Sequence, residues 1–403
     1  MEQVISGGLL ALKLLGLYFF MVALFALKKP RPIARVNPKT RFACLVAARN
    51  EERVIAELVE SLRRQDYPAE LFDIYVMPNN CTDHTALAAI RAGAQILRPS
   101  GEIHCKGDAL HEAFERLLSQ DYDAFCGFDA DNFVDPVFLS RMNDAFQAGA
   151  KAAKGAMRVK NPEDGPLCGC YGLYFTCFDF FFSRARMNCS LSSKLVGTGF
   201  AVHRSVLEAS GGWNSVSIAE DAEFAAYLAQ TGTRVWFVPE AVTYDEAPTS
   251  VLVSLRQRRR WSSGVMDVAQ VRGGALLGSV FTNGGMRALD MLFMLMQPYC
   301  QTVSFLLAGL LLAARPQGQQ TLALAAAAVG GYCMMVCFAA LLSMIQGGKK
   351  RLRVIFLFPL FMASWLPLNL ISLLFRTRTW REIEHGKTAL PVLQRTVWQK
   401  MEP

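Results

Sequence analysis

Paired cysteines are missing from this sequence. Eleven cysteines are scattered along 403 residues, and none stands in the CxxC spacing of a zinc site. Several lie in apolar surroundings, where cysteine behaves as a small hydrophobe, and the set fits a reducing compartment. Also missing is a basic face interleaved with aromatics between residues 40 and 250, which removes nucleic acid from the partners despite a formal net charge of +8. Lys and Arg are absent from residues 1–8, ahead of the first apolar run. A cleaved signal peptide carries its positive charge there, so the run at 7–27 reads as a retained anchor.

Apolar residues make up 52% of the chain, and they are unevenly spread. Runs at 7–27, about 291–313, 321–344 and 354–375 approach the ~20 residues that span a bilayer. Lys28, Lys29, Arg31 and Arg35 follow the first run, and Lys349, Lys350, Arg351 and Arg353 precede the last. Such clusters mark cytoplasmic flanks facing anionic lipid. They place the amino terminus outside, residue 28 onward inside, and the break at 315–320 outside. The last run sets up a conflict, because Arg376, Arg378 and Arg381 directly after it want the same side as the cluster before it. Pro359 and Pro367 inside it would permit a re-entrant or surface-lying hairpin, with a cytoplasmic carboxyl tail. The expected organisation is an anchor at 1–30, a cytosolic domain at 40–250, interface helices at 251–285, and a membrane region with tail at 290–403. That is a multi-pass protein of the cell inner (plasma) membrane, in contact with membrane lipid.

Between the membrane runs, short apolar runs alternate with helical ones. Strands are expected at 42–47, 74–77, 95–97 and 124–128, with helices at 54–63, 85–92 and 108–118. Alternation of this kind argues for an α/β, mainly parallel sheet covered on both faces, which binds ligands outside the carboxyl ends of its strands. The loops there are polar: Arg49-Asn50-Glu51-Glu52 after the first strand, Asn79-Asn80-Cys81-Thr82-Asp83 after the second, and Asp129-Ala130-Asp131-Asn132 after the fourth. Three in succession define one rim.

Asp129 and Asp131 have the spacing that lets two carboxylates meet one hard cation in a turn. The bland alternative is a solvated turn, but placement after the buried strand Phe-Cys-Gly-Phe favours the metal. Glu220-Asp221 precedes a helical run at 222–230. It is either favourable charge at a helix amino terminus or a general base taking a proton from an attacking hydroxyl. Gln257-Arg258-Arg259-Arg260-Trp261 is either an interfacial basic cluster or a set suited to a diphosphate and a sugar ring.

In that order, Asp-x-Asp, Glu-Asp and Gln-x-x-Arg-Trp resemble the signature of membrane-type family 2 glycosyltransferases, the group of cellulose, chitin, hyaluronan and poly-N-acetylglucosamine synthases. The resemblance runs from about Phe42 to Trp261. It implies a Rossmann-like GT-A domain, a UDP-sugar donor, Mg²⁺ or Mn²⁺, and transfer with inversion. It assigns Glu51 and Asn79 to the uridine rim, Lys106 to the donor phosphates, and Asp129 and Asp131 to the metal and diphosphate. It makes Asp221 the base with Glu220 beside it. Gln257, Arg260 and Trp261 would cover the diphosphate and line the acceptor path, over a floor of Gly197-Thr198-Gly199. Asn79 departs from the Asp usual in the family, keeping the hydrogen bonding but losing the charge. Trp380-Arg381-Glu382-Ile383-Glu384-His385 resembles a tail motif near the active-site mouth. The resemblance puts a growing polysaccharide first as acceptor, with single transfer to a lipid, giving a glycolipid, as the alternative. Three or four spans leave room for a homo-oligomer or an accessory export subunit to complete a pore. Intact carboxylates in all the motifs argue against an inactive scaffold.

Overall fold

The structure, a computed structural model, describes residues 2–101, 103, 105–313, 317–347 and 351–375. Helix α1 (Glu2–Leu24) leads into β1 (Phe42–Ala48), α2 (Ile55–Arg63), β2 (Phe72–Pro78), α3 (Thr85–Ala92), β3 (Gln95–Ile96), α4 (Lys106–Leu117) and β4 (Ala124–Asp129). Strand β1 carries no polar side chain and lies between parallel neighbours β2 and β4. Its period-2 geometry sends Ala43 and Leu45 to one core and Phe42, Cys44 and Val46 to the core on the opposite face. Helix α2 buries the stripe Ile55, Leu58, Val59 and Leu62. Helix α3 stops at Gly93, whose φ of 101° lets its N–H reach the carbonyls of Ala89 and Ile90.

These elements fall within one or two residues of their expected positions. The difference that matters is α4, which begins at Lys106 instead of 108 because the Asp108 carboxylate accepts the Cys105 N–H at 3.1 Å. Lys106 is thereby fixed in the first helical turn.

The chain continues through β5 (Phe133–Val134), α5 (Phe138–Gln147), β6 (Ala152–Val159), α6 (Pro166–Cys177), a π-helical turn (Phe178–Arg184) and α7 (Ala185–Asn188). It then forms β7 (Phe200–His203), α8 (Arg204–Ser210), α9 (Glu220–Gln230) and β8 (Val235–Asp245). All eight strands form one sheet in the order β3-β2-β1-β4-β7-β6-β8-β5. β1 pairs in parallel with β2 and β4, as do β2 with β3 and β6 with β8, while β7 runs antiparallel to both its neighbours and β5 to β8. The carboxyl ends of β1, β2, β4, β6 and β8 therefore share one edge, and the chain enters β7 at that same edge. In β8 the register jumps from Val238 to Val242, so Pro239, which lacks an N–H, sits in a bulge and costs no ladder bond.

Helices α10 (Val251–Ser279), α11 (Gly285–Ala313), α12 (Gln317–Gln346), α13 (Leu352–Ala363) and α14 (Trp365–Leu374) follow. Among the described residues, four helical stretches are long and apolar enough to cross a membrane: Leu10–Leu27, Gly285–Leu310, Gly318–Gln346 and Leu352–Leu374. The last is divided at Ser364, between its two prolines, into helices of 12 and 10 residues. At 1.5 Å per residue each is roughly half of a ~30 Å hydrocarbon core. Lys349, Lys350 and the tail from 376, with its motif at 380–385, lie outside the described residues. The sheet domain is fastened to the membrane helices by a fully buried ion pair. Arg186 of α7 donates to both oxygens of Asp290 in α11 at 2.8 and 3.0 Å, and the Tyr18 hydroxyl of α1 adds a third bond at 2.9 Å. All eleven cysteines are free thiols.

Candidate active site

The first two rim loops are laced together. The Asn50 side-chain oxygen accepts the Thr82 N–H at 2.8 Å, and Asp83 accepts the Glu52 N–H at 3.1 Å. The His84 N–H goes to Glu52 at 3.0 Å, and the buried Thr85 hydroxyl accepts the Glu51 N–H at 2.8 Å. Asn50 and Asn80 both have positive φ, 56° and 49°, a conformation asparagine tolerates better than most residues. Glu51 and Asn79 thus stand on one tied rim, half-buried, with the Asn79 N–H bonded to the Ala48 carbonyl at 2.9 Å.

Asp129 closes β4 at the next position along that edge. Its N–H is shared by the Asn132 side-chain oxygen at 3.2 Å and the Thr198 hydroxyl at 3.1 Å, and Thr198 in turn donates to Asn132. The Asn132 amide also reaches Asp245, the last residue of β8, at 3.0 Å. Asn132 thus joins the Asp129–Asp131 loop to Asp245 across the edge formed by the ends of β4 and β8. Burial, reinforced by the carboxylates of Asp131 and Asp129, pushes Asp245 well above the usual carboxylate range.

Residue 197 brings the motifs together. The Gly197 N–H donates to the Asp221 carboxylate and the Gly197 carbonyl accepts from Lys106 Nζ at 2.6 Å, while Lys106 also donates to Asp129. A Cβ on Gly197 would stand 3.5 Å from an Asp129 oxygen and 4.0 Å from an Asp221 oxygen. Lys106 is only 17% exposed; burial works against its charge, but Asp129, Glu220 and Asp221 outweigh that and raise its pKa. Burial, then Asp221, pushes the carboxyl of Glu220 up to about 7, with Lys106 pulling the other way. Gly199 is placed differently. It is buried, its N–H goes to Gly127 at 2.8 Å and its carbonyl to Gly155 at 2.9 Å, so its backbone is spent in the sheet. Within the floor segment it is Gly197 that faces the carboxylates.

Glu220 and Asp221 open α9, and the loop before them is held by Glu223, which accepts the N–H groups of Val216 and Ser217 at 2.8 Å each. Helix α10 crosses directly above. A Cβ on Gly264 would lie 2.7 Å from Ala219 Cβ, and Arg272 pairs with Glu223 at 3.0 Å. Gln257 accepts the Tyr171 hydroxyl at 3.2 Å, and Arg260 is half-buried. Trp261 forms a three-ring cluster with Tyr174 and Trp365, its centroid 6.4 and 6.3 Å from theirs and theirs 5.8 Å from each other. The other two arginines of the motif hold the last apolar run. Arg258 donates to the Phe361 carbonyl at 3.0 Å and to Ser364 at 2.7 Å, and Arg259 to the Phe375 carbonyl at 2.9 Å.

Three residues that the sequence did not single out belong here: Asp245, Tyr174 and Trp365. A fourth is Lys154, buried beneath the carboxylates, where loss of hydration draws its ammonium down to about 8 against their attraction. Asp245 had a legible signal, since it ends a strand on the ligand-binding edge.

The oxygen donors suit a hard divalent cation, and the crowding of negative charge at Asp245 is what such an ion relieves. Among the described residues, no group of three or more acidic, His or Cys side chains converges tightly enough to hold one alone. Mg²⁺ and Mn²⁺ commonly take only one or two protein carboxylates, with substrate phosphate and water completing the shell.

The family described as "Glycosyltransferase like family 2" matches residues 38–264, more than half of the chain. The probable glycosyltransferase YdaM of Bacillus subtilis is 29% identical over 236 residues, 56% of this chain and 55% of that protein. A beta-monoglucosyldiacylglycerol synthase of Synechocystis is 28% identical over 245 residues, 57% of this chain and 49% of its own length. The chain thus spans about half the length of these curated relatives. Among solved structures, the mannosyltransferase PcManGT of Pyrobaculum calidifontis, in complex with GDP-Man and Mn²⁺, superposes with a TM-score of 0.63 at 18% identity. The match covers 93% of this chain and 99% of that one.

Proposed function

The chain belongs to glycosyltransferase-like family 2, and we propose that it moves one sugar from a UDP-sugar to a hydroxyl of a membrane lipid, with inversion, at the cytoplasmic membrane face. Its sheet is the GT-A sheet that the motifs led one to expect, and it is a glycosyltransferase. The observation that carries the proposal is the meeting of Lys106, Asp129 and Asp221 on the single residue Gly197. It supports the reading because Lys106 and Asp129, read as diphosphate and metal ligands, and Asp221, read as the base, are linked through one residue.

In this reading the uracil and ribose lie on the Glu51–Asn79 rim, and Lys106 turns from Asp129 toward the donor phosphates. Asp221 takes the proton of the acceptor hydroxyl as its oxygen attacks the anomeric carbon. The bond from that carbon to the phosphate oxygen breaks on the opposite side, and UDP leaves with the electron pair. Asp129 and Asp131 would hold the Mg²⁺ or Mn²⁺, which when bound neutralises charge developing on the leaving diphosphate. Glu220, its carboxyl pushed up to about 7, is about half protonated at neutral pH and so adds less negative charge beside the base than an ordinary glutamate would.

A lipid acceptor is preferred to a growing polymer because relatives similar over the catalytic half are named for glucosyl transfer to diacylglycerol. Likeness to a cellulose synthase of Novacetimonas hansenii is weaker, 23% over 293 residues and only 17% of that protein. The four candidate spans provide the membrane setting. The test is a panel of radiolabelled UDP-sugars with purified enzyme, Mg²⁺ or Mn²⁺, and diacylglycerol in phosphatidylcholine nanodiscs, with products sized. A chloroform-soluble monoglycosylated lipid is expected; a high-molecular-weight polymer would overturn the lipid reading, and no UDP release from any donor would overturn both.

A further inference from the structure

A cleft of about 460 Å³ runs between α1, α11 and the start of α14, well away from the carboxylates. Its α1 wall is apolar, with Leu12, Leu15, Gly16 and Phe19. Its α11 wall is not. Gln297, Gln301 and Ser304 recur at helical spacing on one face of a candidate membrane span and line the cleft. Polar side chains at this depth are costly facing lipid alone, and they mark pathways for substrates or ions. Counting along α11 from the Asp290 anchor at 1.5 Å per residue, the lining runs from ~10 Å at Gln297 to ~22 Å at Phe305.

Two lines connect this cleft to the active site. Gln301 accepts from the Asn369 amide at 3.0 Å, and Asn369 accepts from the Ser262 hydroxyl at 2.6 Å, the residue after Trp261. Leu366, which closes the cleft, follows Trp365, whose ring stacks on Trp261. The cleft is thus tied to the turn of α10 that carries Trp261 by two side-chain hydrogen bonds, and to the aromatic cluster through the neighbouring Leu366.

We infer that this cleft seats an acyl chain of the lipid acceptor, a neutral hydroxylated lipid of the diacylglycerol kind, so that its headgroup hydroxyl emerges at Trp261 and Trp365; this rests on the lipid-acceptor reading above. The apolar α1 wall packs against the chain. Gln297 and Gln301 meet the polar ester region, and Trp365 marks where the glycerol passes toward Asp221. A site for ordinary bilayer lipid would need neither the glutamine rail nor continuity with Trp261.

The test uses full-length enzyme in phosphatidylcholine nanodiscs with a diacylglycerol carrying a photoactivatable diazirine in mid-chain. Crosslinks, assigned to single residues, are expected at Leu12, Leu15, Gly16 and Phe19 and within 297–305, competed by unlabelled diacylglycerol and not by added phosphatidylcholine. Gly16→Trp fills the cleft, since a Cβ at Gly16 meets no atom within 4 Å. It should cut this labelling by about tenfold while UDP binding is unchanged. Labelling spread over the outward residues Leu10, Leu14 and Leu17, equal competition by phosphatidylcholine, or undiminished labelling in Gly16→Trp would each overturn the assignment. Labelling reads the cleft whether or not sugar is transferred, so failure here and failure to form a glycolipid are separate results.

Discussion

Glu220→Gln should make the protein more stable at pH 8, with a benefit that shrinks steadily toward acid pH. Glu220 is 8% exposed, and burial together with Asp221 pushes its carboxyl from an ordinary 4.5 up to about 7. The folded protein therefore holds this proton more tightly than the unfolded chain. Stability from this group is fully present below about 4.5 and is lost as pH rises through about 7. At about 1.36 kcal/mol per pH unit, the wild type forfeits on the order of 3 kcal/mol above pH 7. Glutamine keeps the size and removes the charge, so the variant should be nearly flat across this window. The assay is the apparent thermal midpoint of both proteins in one detergent from pH 5 to 8, with EDTA and without nucleotide. At roughly 2–4 °C per kcal/mol for a domain of this size, the variant should melt about 5–10 °C higher at pH 8. A variant less stable than wild type at pH 8, or a difference independent of pH, would refute the reasoning.

Asp221→Asn should bind UDP nearly normally and lose turnover by on the order of 10²-fold or more, measured as UDP release, because the acceptor proton has no base. Near wild-type turnover would remove Asp221 from the chemistry. Asp131→Ala should weaken Mn²⁺-dependent UDP binding by titration calorimetry, and EDTA should silence the wild type; activity surviving excess EDTA would exclude a metal role. Asp290→Ala leaves the guanidinium of Arg186 buried and unpaired, which should cost about 3–5 kcal/mol, seen as a lowered thermal midpoint. Restoration by the further change Arg186→Met would confirm that the loss is that of an orphaned charge.

The first half of the sheet was legible because β1, β2 and β4 are apolar runs bounded by polar loops, and the helices between them keep a 3.6-residue stripe. The second half was harder to read. β5 has two residues, β7 has four and follows a glycine-rich entry, and β8 is interrupted by a proline-bearing bulge. Motif residues Lys106, Asp129, Glu220 and Asp221 were legible and are gathered together. Asp245 went unread, although it ends a strand on the ligand-binding edge, because its place beside the Asp-x-Asp loop is set by the long-range β5–β8 pairing and the Asn132 contact. Tyr174 and Trp365 sit in apolar runs whose composition gives no hint that they flank Trp261.

The basic run at 257–261 shows how one segment serves two purposes. As a juxtamembrane cluster, all three arginines would point to lipid headgroups, yet Arg258 is only 2% exposed. Its guanidinium lies 4.3 Å from the Phe361 ring centroid and 5.5 Å from that of Trp365, where a desolvated cation–π contact offsets part of the burial cost. Helical spacing separates the roles. Gln257, Arg260 and Trp261 recur at three and four residues, and Arg258 and Arg259 face the last apolar run, whose Ser372 hydroxyl also reaches the Arg259 carbonyl at 3.3 Å. The same helix presses Gly264 on Ala219 and pairs Arg272 with Glu223, the residue that fixes the loop before Glu220 and Asp221. Contacts thus run from α14 to α10, and from α10 to the loop that leads into Glu220 and Asp221. The break at Ser364 becomes intelligible on these terms: a short, separately packed α14 can grip α10 along its length, whereas a straight span continuing α13 would carry Trp365 and Asn369 away from it.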